Sequence, residues 1–420
     1  MRALATTTGA LAFNARQVGW TDANGHGDSL QICGQKRDGR YYVHLGHFWS
    51  GGLSILDVTD PASPQVVHHL DSPTPNTWHI NLQVADDLLM VANERFIPGW
   101  GPVPVTDPWE AGVQLFDVSE PSEPRKLGKW STSGSGTHRN WYAGGQYAYL
   151  SASEDGYAGR FLLILDVSDP ENPHEAGRWW MPGQAVQAGE TPTWRSGEGH
   201  GGHYTLHGPI ADGTTIYCAF EDLGLKILDA SDVAHPRRVG EINTHPPFAG
   251  YTHTTLPLPG RSLIVAAEET IAYNCQEEQK RIWLIDVRDP AHPVSFATLP
   301  MPVEPPGEPA WCEKGGRFGP HNLHENRPGA FQSETLVFDA FFNAGLRVWD
   351  IRDPFQPHEV AWFIPPPPER LYDVRPDAPR AVSSQDVCVD DRGYCFLTDY
   401  NAGLYIVELE GEARDLMNLP

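Results

Sequence analysis

Seven short segments of this 420-residue chain repeat one pattern, and a sevenfold repeat of that kind leaves few folds open. They run from Gly52 to Pro61 (GLSILDVTDP), Val113 to Pro121 (VQLFDVSEP), Leu162 to Pro170 (LLILDVSDP), Leu225 to Asp232 (LKILDASD), Ile282 to Pro290 (IWLIDVRDP), Leu346 to Pro354 (LRVWDIRDP) and Leu404 to Leu409 (LYIVEL). Each begins with alternating β-branched and aliphatic residues, the period-2 pattern of a strand. The first six then enter an Asp-rich turn. In all but the fourth a Pro follows the acidic residue and stops the strand, because Pro has no N–H to give a ladder. Around each copy the order is a short strand, a turn, an apolar strand such as Leu88 to Ala92, the motif strand, and a fourth strand such as Val66 to Leu70. Four strands per unit, at spacings of about 40 to 65 residues, describe propeller blades with room for loops. The expected fold is all-β: a single seven-bladed β-propeller domain over residues 1–420. The seventh copy has no fourth strand after Leu409, whereas Gln17 to Trp20 stands before the first blade with no unit of its own. The N-terminal strand is therefore expected to complete the last blade and remove the open edges.

Composition narrows the function. With 41 Gly and 38 Pro but no short period, the punctuation is that of many tight turns. The 30 Lys and Arg against 54 Asp and Glu give a formal charge of −24, a field that repels phosphates, so nucleic acid and anionic membrane surfaces are not expected partners. Cys33, Cys218, Cys275, Cys312, Cys388 and Cys395 lie scattered with no C-x-x-C pair, and read as buried free thiols. Residues 1–13 are too weakly apolar for a signal segment, and no run of 18 apolar residues occurs, so a cytoplasmic location is expected.

Aligning the units on their motif strands places a histidine at the start of the innermost strand in five blades: His79, His138, His203, His253 and His321. Blade one places His26 there and blade seven Gln385 and Asp386. The innermost strand lines the axial channel, so these imidazoles should converge. A second register, at the end of the next strand, holds Glu94, Glu154, Glu221 and Glu268, with Asp399, Phe341 and the pair His47 and Phe48 in the other blades. Start of the first strand and end of the second share one face, so histidines and glutamates should meet at one mouth. Carboxylates there would accept the second ring N–H of metal-bound imidazoles. The longest insertions, residues 95–112, 182–200, 302–320 and 362–380, emerge at that same face, where Trp100, Trp109, Trp194, Trp311 and Tyr372 would form a lid or pocket wall. The Asp-Pro turns and most of the tryptophans are expected to be structural. No G-x-S-x-G elbow, phosphate-cradling Gly loop or H-E-x-x-H helix is present.

The repeated motif resembles the LVIVD repeat, a likeness that covers nearly the whole chain and implies a propeller. In architecture the histidine ring is similar to two propeller families. Carotenoid-cleaving oxygenases hold iron with one histidine from each of four blades, and selenium-binding proteins, which act as methanethiol oxidases, have histidine-rich copper sites. Propeller lyases with a histidine-held manganese share the ligand type. The expectation is a metal-dependent enzyme, an oxidoreductase of oxidase or oxygenase type acting on a small neutral or aromatic substrate. His138, His203, His253 and His321 would hold one ion of Fe, Mn, Cu or Zn; Glu94, Glu154, Glu221 and Glu268 would orient them; and His79, His200 and His324 would serve as acid or base. The alternatives are a metal-dependent lyase or hydrolase, and a non-catalytic propeller that binds another protein.

Overall fold

The computed structural model describes residues 4–5, 9–192, 194 and 204–419. Seven small sheets follow one another along the chain. Blade one takes Ser29–Arg37, Arg40–His47, Leu53–Asp57 and Gln65–Leu70 from channel to rim, and the later blades repeat that order. Blade three lacks a regular innermost strand, and isolated bridges from Thr137 to Ala152 and from Trp141 to Tyr149 stand in for it. As expected, Ala15–Thr21 pairs antiparallel with Gly403–Leu409 and closes the ring through blade seven. Leu11–Phe13 pairs with His358–Ile364 and widens blade six, a pairing outside the four-strand repeat.

The core is divided into seven apolar seams, one between each pair of neighbouring blades. The motif strand supplies both sides of each seam because its side chains alternate. Leu56 and Val58 pack toward blade seven with Phe396 and Ile406, while Leu53 and Ile55 pack toward blade two with Val91 and Phe116. In every blade the third and fourth strands slip register by a bulge. Beside that bulge the outer strand of four blades carries a glycine, and a methyl group there would overlap the turn of the next blade. Gly19 faces the Pro61 carbonyl, Gly128 that of Pro170, Gly177 that of Val233 and Gly240 that of Pro290. Val233 occupies the position at which the fourth repeat lacks its proline. Gly240→Ala is therefore expected to destabilise the protein by about 1–3 kcal/mol, the usual range for overpacking against an unyielding neighbour, read as a lowered midpoint in urea.

The Asp-rich turns are structural, as the sequence implies. The first Asp accepts the backbone N–H two residues on in all six copies: Asp57 from Thr59, Asp117 from Ser119, Asp166 from Ser168, Asp229 from Ser231, Asp286 from Arg288 and Asp350 from Arg352. Hydrogen bonds from Ser119 to Asp117, from Ser231 to Asp229 and from Arg288 to Asp286 hold those carboxyl groups below the ordinary Asp range. A lowered folded pKa adds stability that is complete above about pH 4 and is lost as pH falls through the folded values. The contribution of these turns should therefore vanish in acid, seen as a thermal midpoint that falls between about pH 4 and 2.

The cysteines require a correction. Cys33, Cys218, Cys388 and Cys395 are buried free thiols, but Cys275 and Cys312 form a disulfide. Their spacing of 37 residues hid the pair, because it joins a hairpin loop of blade five to the segment that leads into blade six. No described helix is long and apolar enough to cross a membrane.

Candidate metal centre

Four imidazoles meet at the channel mouth, each from the entry of an innermost strand. His138 lies between the two bridges of blade three, His207 directly precedes Gly208–Asp212, His253 lies in Thr252–Leu258, and His321 directly precedes Asn322–Leu323. Their ring centroids are 4.8 Å apart for His138 and His207, 3.6 Å for His207 and His253, and 4.6 Å for His253 and His321. A carboxylate joins them: Glu269 has Oε2 3.5 Å from His253 Nε2 and Oε1 3.7 Å from His321 Nε2. One ligand atom each from His207, His253 and Glu269 falls within 4.8 Å of the others, a spacing suited to a shared ion.

Hydrogen bonding fixes which ring nitrogens face inward. A carbonyl or carboxylate oxygen only accepts, so the Nδ1 that meets it carries the proton. His207 Nδ1 donates to the His253 carbonyl at 3.0 Å, His321 Nδ1 to the Gln385 carbonyl at 2.6 Å, and His138 Nδ1 to Glu94 Oε2 at 2.6 Å. Burial lowers the pKa of His138 against the opposing charge of Glu94, and burial followed by the charge of neighbouring groups carries those of His207, His253 and His321 well below the usual imidazole range, which favours neutral rings. In a neutral ring with Nδ1–H, Nε2 holds only a lone pair. His138 Nε2 and His207 Nε2 then face each other at 3.1 Å with no proton between them, beside a carboxylate. A cation placed between them would relieve that repulsion. Imidazole lone pairs whose far N–H groups are anchored are the arrangement of metal-bound histidine.

Charged residues surround this donor set. Arg317 Nη1 bonds Glu269 Oε1 at 2.9 Å, while burial pushes the Glu269 carboxyl up to about 7. Arg160 spans Glu94 Oε1 at 3.5 Å and Glu221 Oε1 at 3.1 Å, and burial pushes Glu221 up to about 8. Arg139, held by Asn322 and by Glu325 Oε1 at 2.7 Å, adds positive charge that disfavours protonation of all four imidazoles. Phe342 stacks on His321 at 4.6 Å, and its other neighbour is the Arg317 guanidinium, 4.2 Å from its ring centre. Of the four rings His138 is the most open, 16% exposed, which marks the approach side.

The expected residues divide. His138, His253 and His321 come together, with Glu94 behind His138 and Glu221 behind Arg160. His200 and His203 lie outside the described residues. The described residue at the blade-four position is His207. His79 is buried in blade two beside Asn93, and its charged neighbours are Glu110, Lys126 and His69 rather than the four rings. His324 is not free for proton transfer: Nε2 donates to the Phe331 carbonyl at 2.7 Å and Nδ1 accepts the Val389 N–H at 3.2 Å. Glu154 pairs with Arg178 at 3.2 Å. Glu268 accepts from Trp283 Nε1 and the Arg281 N–H, each at 2.8 Å, and points away from the channel. Successive strand residues alternate sides, so the inward carboxylate is Glu269, one position on. Trp311 lies in the seam between blades five and six, whereas Trp100 and Tyr372 do pack at the mouth against Phe48, Trp49, Trp78 and Tyr400.

His207 had a readable signal. His138 stands six residues before Gly144 and His253 six before Pro259, the first turn residue of each inner hairpin; the same count back from Gly213 reaches His207. Blades one and seven contribute no ring to the centre. His26, His47 and His69 instead form a separate stack at blade one, with His47 Nε2 and His69 Nδ1 both on Ser54 Oγ at 2.8 and 3.0 Å.

The LVIVD repeat profile matches residues 42–71, 138–180 and 212–244, which fall in blades one, three and four. Among solved structures, a functionally unknown protein from Desulfotomaculum acetoxidans DSM 771 aligns with a TM-score of 0.49 and 10% identity, over 77% of this chain and 83% of that one. No curated protein sequence matches. The chain is a seven-bladed β-propeller that carries LVIVD repeats.

Proposed function

We propose that the protein is a metal-dependent oxidoreductase whose single ion is held at the channel mouth by His138, His207, His253 and His321 with Glu269. The observation that carries this reading is the set of inward Nε2 lone pairs, anchored through Nδ1, beside a buried carboxylate. The donor types, imidazoles with one carboxylate and no thiolate, suit Fe, Mn, Cu or Zn, and the first three of these support redox chemistry. A bound iron or similar redox ion supplies the one-electron chemistry that dioxygen activation requires. The chain's own residues do the rest. Glu94 orients His138, Gln385 and His253 orient their neighbours through backbone carbonyls, and Arg317 holds Glu269. Trp100 and Tyr372, the partly exposed members of the aromatic group around Phe48, Trp78 and Tyr400, would give a neutral or aromatic substrate an apolar surface to pack against.

The test is metal analysis followed by oxygen uptake. Wild-type protein reconstituted with Fe(II), Mn(II), Cu(II) or Zn(II) should hold about one ion per chain, and the redox-active form should consume dioxygen with a panel of small aromatic and thiol compounds. Turnover of the panel at equal rates with and without dioxygen would replace this reading by a lyase or hydrolase. Less than about 0.2 ion per chain after reconstitution would leave a protein-binding propeller.

A further inference from the structure

We propose that the Cys275–Cys312 bridge is a thiol–disulfide exchange site that sets how tightly the neighbouring centre holds its ion, an inference that rests on the metal reading above. The bridge joins the two segments that carry Glu269 and His321. Cys275 ends the turn Tyr273–Cys275, six residues after Glu269, and Cys312 lies in Trp311–Glu313, nine before His321. Between these anchor points the segments are joined by a short run of non-covalent bonds. Arg317 Nη1 donates to Glu269 Oε1 at 2.9 Å and to the Thr270 carbonyl at 3.2 Å, Thr270 Oγ1 donates to the Phe318 carbonyl at 3.2 Å, and the Asn274 N–H donates to the Gly316 carbonyl at 2.8 Å. The disulfide is the covalent end of that run and restrains the donors from outside.

Accessibility separates this bridge from the other cysteines. Cys312 is exposed and Cys275 half-buried, whereas Cys33, Cys218, Cys388 and Cys395 are buried with thiols raised above the ordinary range by burial. An attacking thiolate therefore reaches Cys312 Sγ first. A dithiol supplies the two electrons. Its thiolate attacks Cys312 Sγ and the Cys275 thiolate leaves, taking a proton from water. The second thiol of the reductant then displaces Cys312 as a thiolate and closes into a disulfide. Neither cysteine belongs to any of the inter-blade seams, so the propeller stays folded while the run that positions Glu269 and His321 loosens.

Co(II) affinity, measured by competition with a chelating dye, provides the test. Three samples are compared: the oxidised protein, the protein reduced with dithiothreitol and then desalted without air, and Cys275→Ser/Cys312→Ser. Reduction should weaken binding by roughly tenfold or more, the usual cost of disturbing groups that support metal ligands. Oxidised glutathione should restore it, and the double variant should match the reduced protein with an unchanged far-ultraviolet spectrum. Equal affinity in all three samples overturns the proposal and leaves the centre standing. Six titratable thiols in the air-purified protein also overturn it, since the bridge is then not formed. Oxidised wild type that binds no Co(II) overturns the metal reading itself, and this proposal with it.

Discussion

His253→Ala protein is expected to purify folded and to hold less than about a tenth of the metal bound by wild type, with affinity reduced by at least about a hundredfold. His253 touches both neighbouring rings of the set, 3.6 Å from His207 and 4.6 Å from His321 between centroids, and its Nε2 lies 3.5 Å from Glu269. Its loss therefore removes one donor and loosens two others, because its ring packs between those of His207 and His321. His324→Ala makes the contrast. That ring is equally buried but spends both nitrogens on the backbone of Phe331 and Val389, so its truncation should cost about 1–3 kcal/mol of stability and leave metal content unchanged. Metal content and thermal midpoint measured together on the two variants separate a ligand from a structural histidine. Equal metal in both would remove His253 from the centre.

Deleting residues 1–21 should have the largest effect on the fold. Ala15–Thr21 is the outer strand of blade seven, and Leu11–Phe13 covers the edge of blade six, with Ala10, Ala12 and Ala15 in the seam between them. The truncated chain exposes Gly403–Leu409 as an unpaired edge of alternating apolar residues and leaves His358–Ile364 open beside it, the arrangement that invites edge-to-edge association. The expected result is insoluble protein, or a soluble fraction whose thermal midpoint is lower by more than about 10 °C. A peptide of residues 9–21 supplied in excess should recover part of the loss. A soluble monomer with the wild-type midpoint would show that the ring closes by other means.

The fold was legible because repetition made it so. One motif strand is an ambiguous signal, but seven copies, six of them entering the same Asp-rich turn, describe a propeller, and the strand missing at the C-terminus pointed to Gln17 to Trp20, which lies within Ala15–Thr21. The convergence of histidines at the channel mouth was legible in the register, and the membership of the cluster only in part. His138, His253 and His321 follow from register. His207 is reached only by counting back from the hairpin turn at Gly213, because the segment that holds His200, His203 and His207 has no strand periodicity of its own. Glu269 was hidden by parity, since a strand end known to one residue leaves open which of Glu268 and Glu269 faces the channel. Arg139, Arg160 and Arg317 left no sequence signal, because a buried arginine is recognised by its carboxylate partners, which come here from other blades. The Cys275–Cys312 disulfide has no local signature either, since its halves are 37 residues apart and lie in separate loops.

Anomalous diffraction from crystals grown with one transition metal decides whether the four imidazoles share an ion. One strong peak is expected, about 2.0–2.3 Å from at least three donors among the Nε2 atoms of His138, His207, His253 and His321 and the Glu269 oxygens. A peak elsewhere on the propeller, or none at the channel mouth at saturating metal, would contradict it.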